Sequence, residues 1–486
     1  MIEESKKKYN SKIDLFNLIT IILFVILSLI IGHFHEPWSD EAQSWLIARE
    51  QSIKDIFFYN SKYEGTFPLW ILTLKLFISL GMKYEYIYII STIISTIGVG
   101  IVLYKTNLPR IYKIFFAFNF YTLYQYSVVA RSYCYFILAF ACLIALYNER
   151  HTKIIKYFLN LILFSFISLH GMVISGILAL FYFIEIIKEC KKEKKKISKI
   201  NRKKIICIAI LAIVYIFEII ILIPPQDIYV DKNYESNIEM VLLDVYAQIV
   251  PRYGNYFIKM LCLIGALFLC MILFEYRKYV KKEFWMLILS VLVIFLCIRC
   301  APHHIGIVFL IFLTTIFLID NKQIKYYMYV PVIIYTLLSV LTGIYDINEN
   351  YSGAKQMADY IKNIDNYEEK NIYGIGYKCT AISPYFEDNI FDNRKDVYYL
   401  WSKQNTDLVL YKNALQIDFD DIDWNTDLPE YIVLENYDMS LSDGRFRYLI
   451  GKSEKYDLIF ETNGRTFFKG IYSETEGYYL YKLKEI

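Results

Sequence analysis

The segment His33-Phe34-His35-Glu36-Pro37-Trp38-Ser39-Asp40-Glu41-Ala42-Gln43 sets imidazole, carboxylate and indole groups side by side, directly after an apolar run that begins at Leu15. Ionisable groups at the mouth of a membrane helix are expensive to hold there and are functional candidates by default. A carboxylate at a water–membrane boundary suits general-base work toward a hydroxyl. Such a base assists displacement at a carbon bearing a phosphate, and the charge growing on that phosphate calls for cationic or N–H partners. Arg131, His303 and His304 are the donors on offer, with Lys75 and Arg252 as outsiders. The same residues also have a simpler reading. Asp40 at an N-cap with Gln43 three residues on resembles a capping box, with Glu41 favourably placed in a first helical turn.

The elements that must position these groups are membrane helices. The chain of 486 residues is 56% hydrophobic and 18% aromatic, with a mean hydropathy of +0.34. Apolar runs of about 17–20 residues recur through positions 1–345, the length that crosses ~30 Å of hydrocarbon. The formal charge of +3 says less than the placing of the lysines. Basic clusters at 6–12, 105–113, 148–156, 188–204, 276–282 and 321–325 mark cytoplasmic loops. Between them the expected spans are 14–32, 85–104, 111–129, 132–148, 153–169, 172–188, 205–223, 256–275, 284–300, 303–320 and 326–344, about eleven crossings by length. The lysine-rich segment 1–12 precedes a retained signal-anchor, because no small-residue cleavage site follows. Segment 67–81 is short and carries Lys75, so it is expected as an interfacial helix.

With the N-terminus cytoplasmic, residues 33–41, Tyr63-Glu64-Gly65, Arg131, His170, 224–231 and Pro302-His303-His304 all fall at outer helix ends. One pocket built from them is the expectation. Residues 346–486 have no span and form an extracytoplasmic α/β domain, separate from the membrane domain 1–345. Ala354, Met357, Ala358 and Ile361 give 352–363 helical spacing. Strands are expected at 371–377, 431–434 and 478–483, and a helical lid at 240–250. No nucleotide-binding glycine motif is present, and the nine cysteines make no disulfide framework. The 46 tyrosines reflect composition and interface preference. Glu218 lies inside a span, where it needs a partner or neutralisation.

Trp38-Ser39-Asp40-Glu41-Ala42-Gln43-Ser44-Trp45-Leu46-Ile47-Ala48-Arg49, followed by Tyr63-Glu64-Gly65 and Pro68-Leu69-Trp70, resembles the first outer loop of the GT-C membrane glycosyltransferases. The nearest branches are the protein O-mannosyltransferases, aminoarabinose transferases and rhizobial lipopolysaccharide sugar transferases. Ala130-Arg131-Ser132-Tyr133 is similar to their second outer loop, and His303-His304-Ile305-Gly306 to a late motif. Departures are Thr66-Phe67 where relatives often place a histidine, Pro302 where they often place an arginine, and a second loop without aspartate.

The resemblance implies a polytopic all-α membrane protein with a small outer C-terminal domain, in a bacterial plasma membrane. It implies transfer of one sugar from a polyprenyl-phosphate carrier to a lipid, glycan or protein acceptor, with inversion. Asp40 would be the base and Glu41 its neighbour and substitute. Arg131, His303, His304, Tyr63, Glu64, Trp38 and His170 would line the donor and acceptor sites. No cofactor is expected, although His33, His35, Glu36, Asp40 and Glu41 are the set that would take a divalent metal. Nucleic acid is not among the expected partners. The competing class is a transporter or flippase of a lipid-linked saccharide, which would put broken helices and polar groups near mid-membrane.

Overall fold

In a computed structural model, residues 14–192, 202–228, 238–249, 256–295, 302–319, 324–402, 428–436, 455–468 and 471–484 are described. The protein is mostly helical with a small C-terminal sheet. Among the described residues six helices are long and apolar enough to cross a membrane: Leu15–Phe34, Tyr84–Lys105, Leu169–Lys191, Arg202–Leu222, Tyr256–Glu275 and Tyr329–Asn348. Twenty residues at 1.5 Å each cover about 30 Å. Two of these helices turn isoleucine-rich faces outward, with Ile19, Ile22 and Ile26 exposed on the first and Ile206, Ile213 and Ile220 on the fourth. Apolar stripes of that extent are stable only against lipid or another protein.

The other apolar helices are shorter: Cys134–Leu146, Ile154–Ile167, Lys282–Ile294 and Pro302–Leu318. The expected uniform span 111–129 is broken. Arg110–Phe118 is helical, but Asn119 then takes over the capping. Its Oδ1 accepts from the Tyr121 and Thr122 amides at 3.0 Å each, and its Nδ2 donates to the Phe115 carbonyl at 2.7 Å. Asparagine competes with the helical ladder in this way, and the chain restarts as a wide turn over Tyr121–Gln125. That turn delivers Ala130 and Arg131 beside the first-loop helix.

The first-loop helix, α1 (Ser39–Glu50), carries the acidic motif. The helix Leu69–Ser79, α2, packs on it. At 11 residues it is only about 16 Å long. Lys75 of α2 donates to the Ala48 and Gln51 carbonyls at 3.0 and 2.6 Å. It therefore satisfies the carbonyl end of α1 rather than reaching a substrate.

In the C-terminal part, α3 (Ala354–Lys362) buries Ala354, Met357, Ala358 and Ile361, the face expected from their spacing. A four-stranded sheet follows, with β1 (Ile372–Ile375), β2 (Tyr431–Asn436), β3 (Tyr456–Thr462) and, after a hairpin of β4 (Arg465–Phe468) and β5 (Ile471–Thr475), β6 (Gly477–Leu483). The order is β1-β2-β6-β3, parallel only between β1 and β2. Buried residues of α1 and α2 share one apolar cluster with α3 and the sheet.

Candidate active site

The helix α1 begins one residue before Asp40. Trp38 is its N-cap, and Glu41, third in the helix, reaches back so that its Oε2 accepts from the Trp38 amide at 3.2 Å. This is half of a capping box. The expected register, with Asp40 at the N-cap and Gln43 as its partner, is thus displaced by two residues. Gln43 instead pairs with the C-terminal part: Nε2 donates to the Tyr399 carbonyl at 2.5 Å, and Oε1 accepts from the Tyr399 amide at 2.8 Å.

The displacement divides the labour between the two carboxylates. Glu41 is fully buried and both of its oxygens are engaged, Oε1 by the Ala130 amide at 2.6 Å and Oε2 also by His35 at 3.2 Å. His35 donates from its other nitrogen to Asp346 Oδ2 at 2.9 Å, an oxygen that also accepts from Tyr124. Burial alone would disfavour the imidazolium, but Asp346 and Glu41 on either side overcome it and raise His35 to about 10. His35, Glu41 and Asp346 therefore form a buried charged tie between the first loop and the last long helix. Glu36 alongside is pushed up to about 7 by burial.

Asp40, next in sequence, points elsewhere and stays partly exposed, at 27% of its side chain. Its Oδ2 pairs with Arg131 Nη1 at 2.9 Å, and its Oδ1 accepts from the Tyr377 hydroxyl at 3.3 Å. Arg131 also donates to His303 Nδ1 at 3.2 Å and lies 5.4 Å from the Tyr133 ring and 6.0 Å from the Trp38 ring. The His303 ring contacts Tyr133 at 4.6 Å and His304 at 4.3 Å, and the His304 ring meets His170 at 4.5 Å. Gly306 makes this approach feasible, because a Cβ there would collide with the Tyr126 hydroxyl. Tyr126 in turn donates to the His303 carbonyl at 2.5 Å.

Asp40, Arg131, His303, His304 and His170 thus make one connected row. Two buried nitrogens on its flanks, Trp38 Nε1 and His170 Nε2, have no hydrogen-bond partner among the described residues. Glu64 joins through Gln43 Nε2 at 2.9 Å, and burial pushes its carboxyl up to about 7. Tyr63 turns away and donates to Asp227 at 3.0 Å. His33 is exposed and packs edge-on against Phe34. Among the described residues no group of three or more His, Cys, Asp or Glu side chains is arranged to hold a metal ion. Arg252 lies outside the described residues.

Sequence reasoning missed three contributors. Tyr377 lies 337 positions from the Asp40 it touches. Glu476 accepts from the Ser39 amide at 3.1 Å, the Ser39 hydroxyl at 2.8 Å and the Ser352 hydroxyl at 2.8 Å. Burial pushes it up to about 7. Asp346, the third member of the His35 tie, stands in the sequence reading only as the first residue of the outer domain 346–486. A carboxylate two residues beyond a predicted apolar run was the available signal for it.

No protein-family model, curated protein or solved structure matches this chain.

Proposed function

We propose that the protein is a membrane glycosyltransferase that moves one sugar from a polyprenyl-phosphate carrier to an acceptor hydroxyl outside the cytoplasm. The observation that carries this reading is the partly exposed Asp40–Arg131 pair at the end of an apolar helical bundle. A base for an alcohol and a cation for a phosphate stand together there, while the neighbouring Glu41 is withdrawn into structure. The support is geometric and chemical, joined to the motif resemblance of the first loop.

In the proposed reaction the acceptor oxygen attacks the anomeric carbon as its proton passes to Asp40. The bond from that carbon to the phosphate oxygen breaks on the opposite face, its electron pair leaving with the polyprenyl phosphate. Arg131 stabilises the charge that grows there. Arg131 pairs with Asp40 at 2.9 Å. A phosphate that draws the guanidinium to itself also frees Asp40 to accept a proton. Trp38 Nε1 and the histidine row supply further N–H donors to phosphate or sugar oxygens. No metal is needed, since a lipid phosphate is already a good leaving group.

The test is transfer from labelled polyprenyl-phosphate sugars to an envelope extract, with the anomeric configuration of the product read by NMR. Inverted product supports single in-line displacement. Retained configuration contradicts it.

A further inference from the structure

Beside Asp40 the C-terminal part contributes three aromatic rings. Tyr377 hydrogen-bonds Asp40 and lies 5.3 Å from Tyr399 and 5.1 Å from Trp401, with Tyr399 and Trp401 4.9 Å apart. Tyr377 and Trp401 are each partly exposed, whereas Tyr399 is buried. Large aromatic surfaces held half-open next to a carboxylate are costly unless something covers them.

We propose that Trp401 and Tyr377 form a stacking platform for a carbohydrate acceptor, so that the acceptor of the transferase proposed above is a glycan or glycolipid headgroup. The proposal rests on that reading and deepens it. The carbon-bound hydrogens on one face of a pyranose match the electron-rich face of an aromatic ring, and the hydroxyls on its rim remain free to reach a base. A sugar stacked on Trp401 and Tyr377 sets its rim towards Asp40, because the Tyr377 hydroxyl is already in contact with that carboxylate. The platform is rigid. Gly376 precedes Tyr377 with φ +103°, and a Cβ there would run into the Glu435 side chain. At the other end, Gln43 fixes the Tyr399 backbone, and Ser402 forms a bridge with Ile228.

The same contacts argue against a peptide acceptor. A peptide laid as an added strand needs a free backbone edge. Here the Tyr399 amide and carbonyl are both taken by Gln43, and the Ser402 backbone is bridged to Ile228.

The experiment measures transfer from a labelled polyprenyl-phosphate sugar to protease-treated envelope polysaccharide, for wild type, Trp401→Ala, Trp401→Phe and Tyr377→Phe. Full-length protein is used, matched for folded yield. The expected result is an acceptor KM raised tenfold or more in Trp401→Ala with donor KM unchanged. Trp401→Phe, which keeps a flat ring and folds where alanine fails to, should recover most of it. Tyr377→Phe keeps the ring but loses its hydrogen bond to Asp40, so its acceptor KM should rise less than that of Trp401→Ala; a rise as large would assign the effect to the hydroxyl and overturn the platform. An acceptor KM in Trp401→Ala equal to wild type overturns the platform while leaving the transferase standing. Loss of acceptor activity on protease treatment overturns it too, and identifies a protein acceptor. Absence of transfer by wild type with any donor is a separate failure, that of the transferase reading, and takes the platform with it.

Discussion

Neighbouring carboxylates in one helical turn have opposite fates. Asp40 stays partly exposed with a cationic partner, whereas Glu41 is enclosed by His35, the Trp38 amide and the Ala130 amide. Removing one partner from a buried charged set leaves the others uncompensated, at a cost of about 3–5 kcal/mol. Glu41→Ala should therefore lower the melting temperature in detergent by many degrees, or abolish folded yield. Asp40→Asn should melt close to wild type and lose activity alone. His35 gives a pH signature of the same tie. Its folded value is about 10, above the ordinary 6.5. The stabilisation is therefore complete below about 6.5 and is lost as pH rises towards 10. Thermal melts between pH 7 and 10 should fall for wild type. For His35→Gln, already less stable at pH 7, the fall should be smaller; an equal slope in both would show that the tie is not charged.

At the level of elements, α1 is held from three sides. Lys75 satisfies its carbonyl end, Gln43 pairs with Tyr399, and Glu476 receives the Ser39 amide and hydroxyl at its start. Burial raises Glu476 to about 7 from 4.5. The folded protein thus binds the proton more tightly than the unfolded chain, and stability falls as pH rises from about 4.5 to 7. Glu476→Gln should flatten part of that slope, read by melting in detergent across the range; an unchanged slope would assign it to Glu36 or Glu64. These clamps were not legible in the sequence. Helical spacing revealed α3, and alternation located β1, β2 and β6, because periodicity is local. The Asn119 break was hidden within an apolar run long enough to read as one helix. The capping register was misread because Asp, Ser and Glu all suit a first turn. Partners such as Tyr377, Tyr399 and Glu476 lie over 330 positions from α1, and no local pattern announces them.

At the scale of the whole molecule, the six long apolar helices among the described residues fit an integral membrane protein, and the row from Asp40 to His170 lies at helix ends rather than along their middles. A channel or carrier would gather its polar groups near mid-membrane. The proposed orientation puts that row outside and the lysine-rich 188–204 segment inside, since basic loops face the cytoplasm. A cysteine at exposed Lys54 should react with a membrane-impermeant maleimide in intact cells, and one at Lys203 only after permeabilisation. Labelling in the reverse pattern would invert the topology and put Asp40 on the cytoplasmic face.

The most direct measurement compares wild type with Asp40→Asn for sugar transfer and release of polyprenyl phosphate, with equal folded protein and a set of labelled polyprenyl-phosphate sugars. The account predicts that wild type transfers and that the variant loses a hundredfold or more, about 3 kcal/mol of barrier, while melting at the same temperature. Equal rates in the two would remove Asp40 as the base. No transfer by wild type with any donor would contradict the glycosyltransferase itself.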